Sequence, residues 1–108
     1  MDAIFKALAD PSRRQLLDRL HRRNGQTLTE LCAHQARTRQ AVTKHLRVLE
    51  RAHLVAVVWQ GRTKRHYLNP VPLHAIYTRW IGKYEPARLQ ALTDLKHQLE
   101  TQPKGTLS

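Results

Sequence analysis

The stretch Thr38–Arg51, TRQAVTKHLRVLER, constrains the fold more than any other, because it carries an apolar face and a cationic face at helical spacing. Val42, His45, Leu46 and Leu49 recur three and four residues apart, so a helix gathers them on one side. Gln40, Thr43, Lys44, Arg47 and Arg51 gather on the other. A chain of 108 residues must bury the first face to have a core at all, which leaves the second turned outward. Thr38 is expected to cap the helix, its hydroxyl accepting from a first-turn amide, with Arg39 and Gln40 just inside. A solvated surface helix has the same two-faced pattern, so the rest of the chain has to decide between an ordinary face and a binding face.

Charge favours binding. Nineteen Lys and Arg stand against eight Asp and Glu, a formal +11, which suits a polyanionic partner. Charge alone does not separate nucleic acid from an anionic membrane, but its distribution is uneven. Residues 37–66 hold eight cations and Glu50 alone as an acid, a net of +7. An even basic coat or surface aromatics would suit a sequence-indifferent nucleic-acid binder, the alternative of the same class.

An enzyme is not expected. The chain has no glycine-rich phosphate loop, no paired catalytic carboxylates and no Ser-His-Asp or Cys-His set in a recognisable context. Cys32 is the single cysteine, which rules out an intrachain disulfide and a multi-thiolate cage. It reads as a small buried hydrophobe, the alternative being a reactive or metal-binding thiol. No cofactor is called for, and no residue pattern specifies an effector. The opening MDAIFKALADPSRR has no continuous apolar run, so neither a signal peptide nor a membrane span is expected, and the location is read as cytoplasmic.

Taken in order, Ile4, Phe5 and Leu8 make a short helix with one apolar side. Asp10-Pro11 breaks and restarts the chain, with Asp10 as N-cap and Pro11 at the first helical position. The second helix turns Leu16, Leu17 and Leu20 inward and Arg13, Arg14, Arg19, Arg22 and Arg23 outward, and stops at Asn24-Gly25. Thr29 is expected to cap a short helix holding Leu31 and Cys32, with Glu30 in its first turn. A basic turn at Ala36-Arg37 then leads to Thr38–Arg51. Short helix, turn, and longer helix with cations in its first turn make a helix-turn-helix.

After Arg51 the run Leu54–Gln60 is β-rich, Gln60-Gly61-Arg62 turns, and Thr63–Leu68 returns, a hairpin with Arg62, Lys64 and Arg65 at its tip. The expected fold is therefore mainly α with a β-hairpin wing, a winged helix-turn-helix. Pro70 and Pro72 end the strand, and Leu73, Ile76, Tyr77, Trp80 and Ile81 repeat at helical spacing. Trp59 and Trp80 are expected to fill space between the hairpin and that helix, or else to wall an effector pocket. From Pro86, Leu89, Leu92, Leu95 and Leu99 form one stripe. With Ile4 and Phe5 they are read as a homodimer interface made by the terminal helices, the alternative being a stripe that covers its own core. One domain is expected over residues 1–101, followed by a flexible tail, 102–108.

The segments ALADPSRRQLLDRL, LTELCAHQARTRQAVTKHLRVLERAHLV and GRTKRHYLNP together resemble the arsenical-resistance repressor (ArsR) family of dimeric winged-helix transcription regulators over residues 3–82. The resemblance implies a repressor that binds an inverted-repeat operator in double-stranded DNA. It carries reading-helix contacts onto Thr38, Arg39, Gln40, Thr43, Lys44 and Arg47, and a wing onto Gly61, Arg62, Lys64 and Arg65. Two departures matter. The family usually has Gly where His53 stands, as a helix C-cap. The thiolate positions of its metal sensors fall here on Thr27 and Thr29, while Cys32 with His34 comes several residues late. His97-Gln-Leu-Glu100 supplies half of the family's second metal site, and nothing near Leu73 supplies the other half. The expectation is the non-metal branch, with a thiol- or metal-responsive repressor using Cys32 as the alternative.

Overall fold

The computed structural model describes residues 1–33, 36–82 and 86–101. The expected tail, 102–108, and His34 lie outside the described residues. The elements are α1 (Asp2–Leu8), α2 (Pro11–Arg22), α3 (Leu28–Cys32), α4 (Arg39–Arg51), β1 (Val55–Gln60), β2 (Thr63–Leu68), α5 (Val71–Ile76), a π-helical turn (Tyr77–Ile81) and α6 (Pro86–Thr101). Contacts divide the chain into two compact units, Met1–His74 and the stretch from Ala75 onward.

The first unit closes over one apolar core. Leu16 and Leu20 of α2, Leu31 of α3, Val42 and Leu49 of α4, and Leu54 are essentially inaccessible, with Ala7, Leu17, Leu46, Ala52 and Val55 around them. Each such Leu or Val is worth roughly 1.5–3 kcal/mol by burial. Ile4, Leu8, Leu28, Cys32, Val48, Leu68 and Leu73 pack on its margin. Cys32 thus sits among apolar neighbours, half-buried. Ile4, expected at a dimer interface, packs on this core, whereas Phe5 is exposed.

The helix ends are held mostly by side chains. Asp10 accepts from the amides of Ser12 (2.7 Å) and Arg13 (3.3 Å), with Pro11 at the first helical position, as expected. Desolvation works against the Asp10 anion, but these hydrogen bonds, aided by the nearby His45, hold its carboxyl below the ordinary carboxylate value. The cap of α3 is Thr27 rather than Thr29. Thr27 accepts from the Glu30 amide while the Glu30 carboxylate accepts from the Thr27 amide, a reciprocal capping box.

Four of the arginines expected to face outward donate to backbone carbonyls, Arg22 within its own helix, to Asp18 at 3.4 Å, and three between elements. Arg13 donates to the Ala7 and Lys6 carbonyls and Arg14 to Leu8, which satisfies the end of α1. Arg19 donates to Leu31 (2.7 Å), Glu30 (3.2 Å) and Ala33 (2.9 Å), closing the end of α3 just before the reading helix.

The exit of α4 is a Schellman motif built on an unusual residue. The Leu54 amide reaches back to Leu49 (2.9 Å) and the His53 amide to Glu50 (3.0 Å), which requires a left-handed residue between them. His53 takes that conformation, at φ +60°. The departure from Gly is therefore accommodated by strain in the residue, not by a different helix end.

β1 and β2 pair antiparallel, with Trp59 opposite Lys64 and Gln60 opposite Thr63. The two-residue loop has Gly61 at φ +62° and Arg62 at negative φ, the pattern of a type II′ turn. The base of the hairpin is tied to the α2–α3 loop. Gly25 donates to the His66 carbonyl and His66 to that of Gln26, both at 2.9 Å, while Asn24 Oδ1 accepts from the Leu68 amide at 2.8 Å. Gly25 suits that position because its φ is +80°, and a Cβ there would also crowd the Tyr67 hydroxyl at 3.0 Å.

In the second unit the chain widens into the π-helical turn at Tyr77, which the simple helical spacing of the sequence does not predict. The four leucines of α6 line one stripe and are all about half exposed, from 51% at Leu95 to 59% at Leu92. Gln90–Asp94 and Lys96–Glu100 pair along the helix at i, i+4.

Candidate nucleic-acid interface

The interface begins with α4. Thr38 caps it as expected, its hydroxyl accepting from the Ala41 amide at 3.1 Å. Burial of Val42, Leu46 and Leu49 turns Arg39, Gln40, Lys44, Arg47 and Arg51 out to solvent. His45 is half-buried on the inner side, and its Nδ1 has no hydrogen-bond partner among the described residues. Arg39, Gln40, Thr43, Lys44, Arg47, Val48 and Arg51 line a shallow concavity of about 640 Å³ along the outer face.

The hairpin brings a second set of cations beside the first. A groove of about 400 Å³ is floored by Thr43, Leu46, Arg47 and Glu50 of α4. Thr27, Leu28 and Thr29 close one end, and Trp59, Arg62, Thr63, Lys64 and His66 form the wall. Arg39 reaches into it, donating to the Thr29 hydroxyl at 3.2 Å. Lys64 Nζ lies 3.5 Å from Glu50 Oε1, which ties the wing to the helix. Arg47 and Arg62 make no ion pair among the described residues, so their guanidinium groups remain available to an incoming anion.

Two expected contact residues are used differently. The Thr38 hydroxyl is taken up by capping. Arg65 does not line the groove: it donates to the Gly25 carbonyl and to Gln60 Oε1, both at 2.9 Å, and lies 3.9 Å from Glu30. Glu30 also pairs with Arg23. Arg65 thus braces the wing against the α2–α3 loop.

Glu50, Thr29 and Trp59 also line the groove, although the sequence reading gave them other roles. The two tryptophans do not fill space in a core; Trp59 is 63% and Trp80 41% exposed. For Trp59 the signal lay in the strand alternation, because it follows Val55 and Val57 on one face and meets Lys64 across the pair.

The two positions onto which the resemblance carries thiolates hold threonine hydroxyls that are already hydrogen-bonded. Thr27 is the cap of α3, and the Thr29 hydroxyl accepts from Arg39. Among the described residues no group of three His, Cys, Asp or Glu side chains is placed to hold a metal ion. No helix among them is long and apolar enough to cross a membrane.

A buried-faced helix set after a short helix and a turn, with cations outward and a basic two-stranded wing beside it, defines the winged helix-turn-helix class of DNA-binding proteins. Comparison with known proteins narrows this. The model of a family described as a helix-turn-helix domain matches residues 8–58. The chain is 44% identical over 86 residues to the uncharacterized HTH-type transcriptional regulator YuzN of Bacillus subtilis (strain 168), covering 74% of this chain and 94% of that protein. Among solved structures, an ArsR-like transcriptional regulator from Rhodococcus sp. RHA1 superposes with a TM-score of 0.69 at 27% identity, over 94% of this chain and 92% of that one. A possible transcriptional regulator for arsenical resistance is 30% identical with a TM-score of 0.63, over 82% and 92% of the two chains. The cadmium sensor CMTR of Mycobacterium tuberculosis is likewise 30% identical, with a TM-score of 0.57 over 74% and 81%. The protein belongs to the ArsR family of helix-turn-helix transcriptional regulators; it is a DNA-binding regulator and not an enzyme.

Proposed function

We propose that the protein is a homodimeric repressor that binds an inverted-repeat operator and is released by something other than a metal at thiolate ligands. In this reading residues 1–101 work as one unit in the cytoplasm. Arg39, Gln40, Thr43, Lys44 and Arg47 enter the major groove, where Arg39 and Gln40 meet base edges. Arg62 and Lys64 take phosphates, while Thr38 and Arg65 hold the two arms in place. The dimer forms through the leucine stripe of α6 with Ile4 and Phe5 of α1, which would set the two reading helices at the spacing of the half-sites.

The observation that carries the reading is the groove in which Arg39, Thr43 and Arg47 of the helix face Arg62 and Lys64 of the wing. Two cationic arms flanking one channel suit a single nucleic-acid strand passing between them. Thr27 in capping α3 and Thr29 in accepting from Arg39 supply hydroxyls where a thiolate site needs sulfur, which supports the non-metal branch.

Selection of bound fragments from genomic DNA recovers the operator, and titration against random competitor then tests the assignment. Gln40→Ala should lose roughly 1–3 kcal/mol on the operator and far less on random duplex. Arg62→Ala should weaken both alike and flatten the slope of log affinity against log salt by about one unit. Equal losses on both duplexes from both variants would overturn the division of labour, and no preference for any fragment would leave a sequence-indifferent binder.

A further inference from the structure

Trp59 is 63% exposed, an unusual place for an indole on a two-stranded hairpin. Its position follows from the pleat. Val55, Val57 and Trp59 share the face of β1 that turns toward α4, and burial fades along it from Val55, which is buried, through half-buried Val57. By Trp59 the strand has run past the core, and the ring stands in the groove.

Two features of the groove define what fits against that ring. The first is charge: Arg39, Arg47, Arg62 and Lys64 line it, with Glu50 alone as an acid. The second is the apolar plane of the indole, with Lys64 Nζ 6.0 Å from its centroid, at the outer limit of a cation–π contact. A simple anion would use the cations and leave the ring wet. A DNA strand uses both, because its phosphates alternate with deoxyribose rings that carry C–H surface.

We propose that Trp59 is a DNA-contact residue, its indole packing on a deoxyribose of the strand that passes between reading helix and wing while Arg47 and Arg62 hold flanking phosphates. This rests on the reading that helix and wing grip duplex DNA together. The contact is indifferent to sequence, since sugars carry no base identity. It is also uncharged, so it releases no counterion. That combination separates it from both sets of contacts proposed above. Base-edge contacts discriminate between sequences, and phosphate contacts depend on salt.

The test is a titration of a mixed-sequence duplex across a range of salt concentrations with wild type, Trp59→Ala, Trp59→Phe and Val58→Ala. Val58 is an exposed neighbour on the opposite face of the same strand, so it controls for general damage to the wing. Trp59→Ala should bind about fivefold to tenfold more weakly at every salt concentration, giving a line parallel to wild type. Trp59→Phe should recover most of the loss, and Val58→Ala should match wild type. A second measurement reads the native side chain. With Trp80→Phe removing the other indole, the duplex should shield Trp59 emission from acrylamide, which decides the matter even if Trp59→Ala folds poorly. Wild-type affinity in Trp59→Ala, or equal quenching with and without duplex, overturns the proposal. So does a loss accompanied by a shallower salt slope, which would mean that the ring acts only by placing Lys64. Wild type that binds no duplex would bring down the helix-and-wing reading and this contact with it, whereas a binding wild type with an indifferent Trp59 sinks the contact alone.

Discussion

His53→Gly should stabilise the protein. His53 sits at φ +60° because the Schellman motif at the end of α4 demands a left-handed residue, and for an L-residue that conformation costs roughly 1–2 kcal/mol. Glycine removes the cost but loses more backbone freedom on folding, which returns roughly 0.5–1 kcal/mol to the unfolded side. Little else changes. The imidazole is exposed and makes no hydrogen bond among the described residues, while the His53 amide and its carbonyl, which accepts from Asn69 Nδ2 at 2.8 Å, belong to the backbone and survive. The two ranges leave a net gain of roughly 0–1.5 kcal/mol, centred on about 0.75 kcal/mol, or about 3–6 °C in Tm for a domain of this size. Thermal melts and urea midpoints measure it, at one fixed protein concentration because self-association shifts both. His53→Ala is the control, as it keeps the Cβ and the strained φ and should show no gain. A His53→Gly variant that melts at or below wild type, with unchanged slope in urea, would refute the strain argument.

Three further outcomes follow from other parts of the molecule. Leu92→Glu with Leu99→Glu puts unpaired charges on the α6 stripe, at a cost of roughly 3–5 kcal/mol if association buries them, so operator affinity should collapse with every DNA-facing residue intact; a double variant that still sediments as a dimer would move the interface elsewhere. The depressed Asp10 carboxyl stabilises the fold at neutral pH and loses that contribution as pH falls through its folded-state pKa, so the gap in urea midpoint between wild type and Asp10→Asn should be open at pH 7 and close below about pH 4. An equal gap at both pH values would refute it. Zinc, cadmium, arsenite and peroxide should leave DNA affinity unchanged in wild type and in Cys32→Ala; release from wild type alone would make the protein a thiol-based sensor.

The helix starts at Asp10-Pro11 and Thr38, the hairpin and the buried stripe of α4 were legible because each depends on neighbours within a few positions. The start of α3 was misplaced although its signal was present, since Thr27 and Glu30 have the three-residue spacing of a capping box and Thr29 does not. The fate of the cations was harder to read. Arg62 and Arg65 look alike in GRTKRHY, but the pleat sends Arg65 to the Gly25 carbonyl, forty positions away, and nothing local encodes that distance. Trp59 was misread for a related reason, because an indole on the core side of a strand is buried only if the core extends that far.

Arginine outnumbers lysine thirteen to six in this chain, and the carbonyls gathered by Arg13, Arg14 and Arg19 suggest why. A guanidinium is a planar, permanently charged fork, able to bind two or three oxygens at fixed angles where an ammonium offers a single swivelling point. Such residues fasten one helix end to the next, and they would be wanted even if the partner were neutral. Net charge is therefore a poor ruler for the grip of a small basic regulator on its target. A homologue could exchange surface lysines for glutamines, drop several units of charge and keep its architecture, while a single Arg-to-Lys exchange at position 19 would leave the charge intact and loosen the joint on which the reading helix is hung.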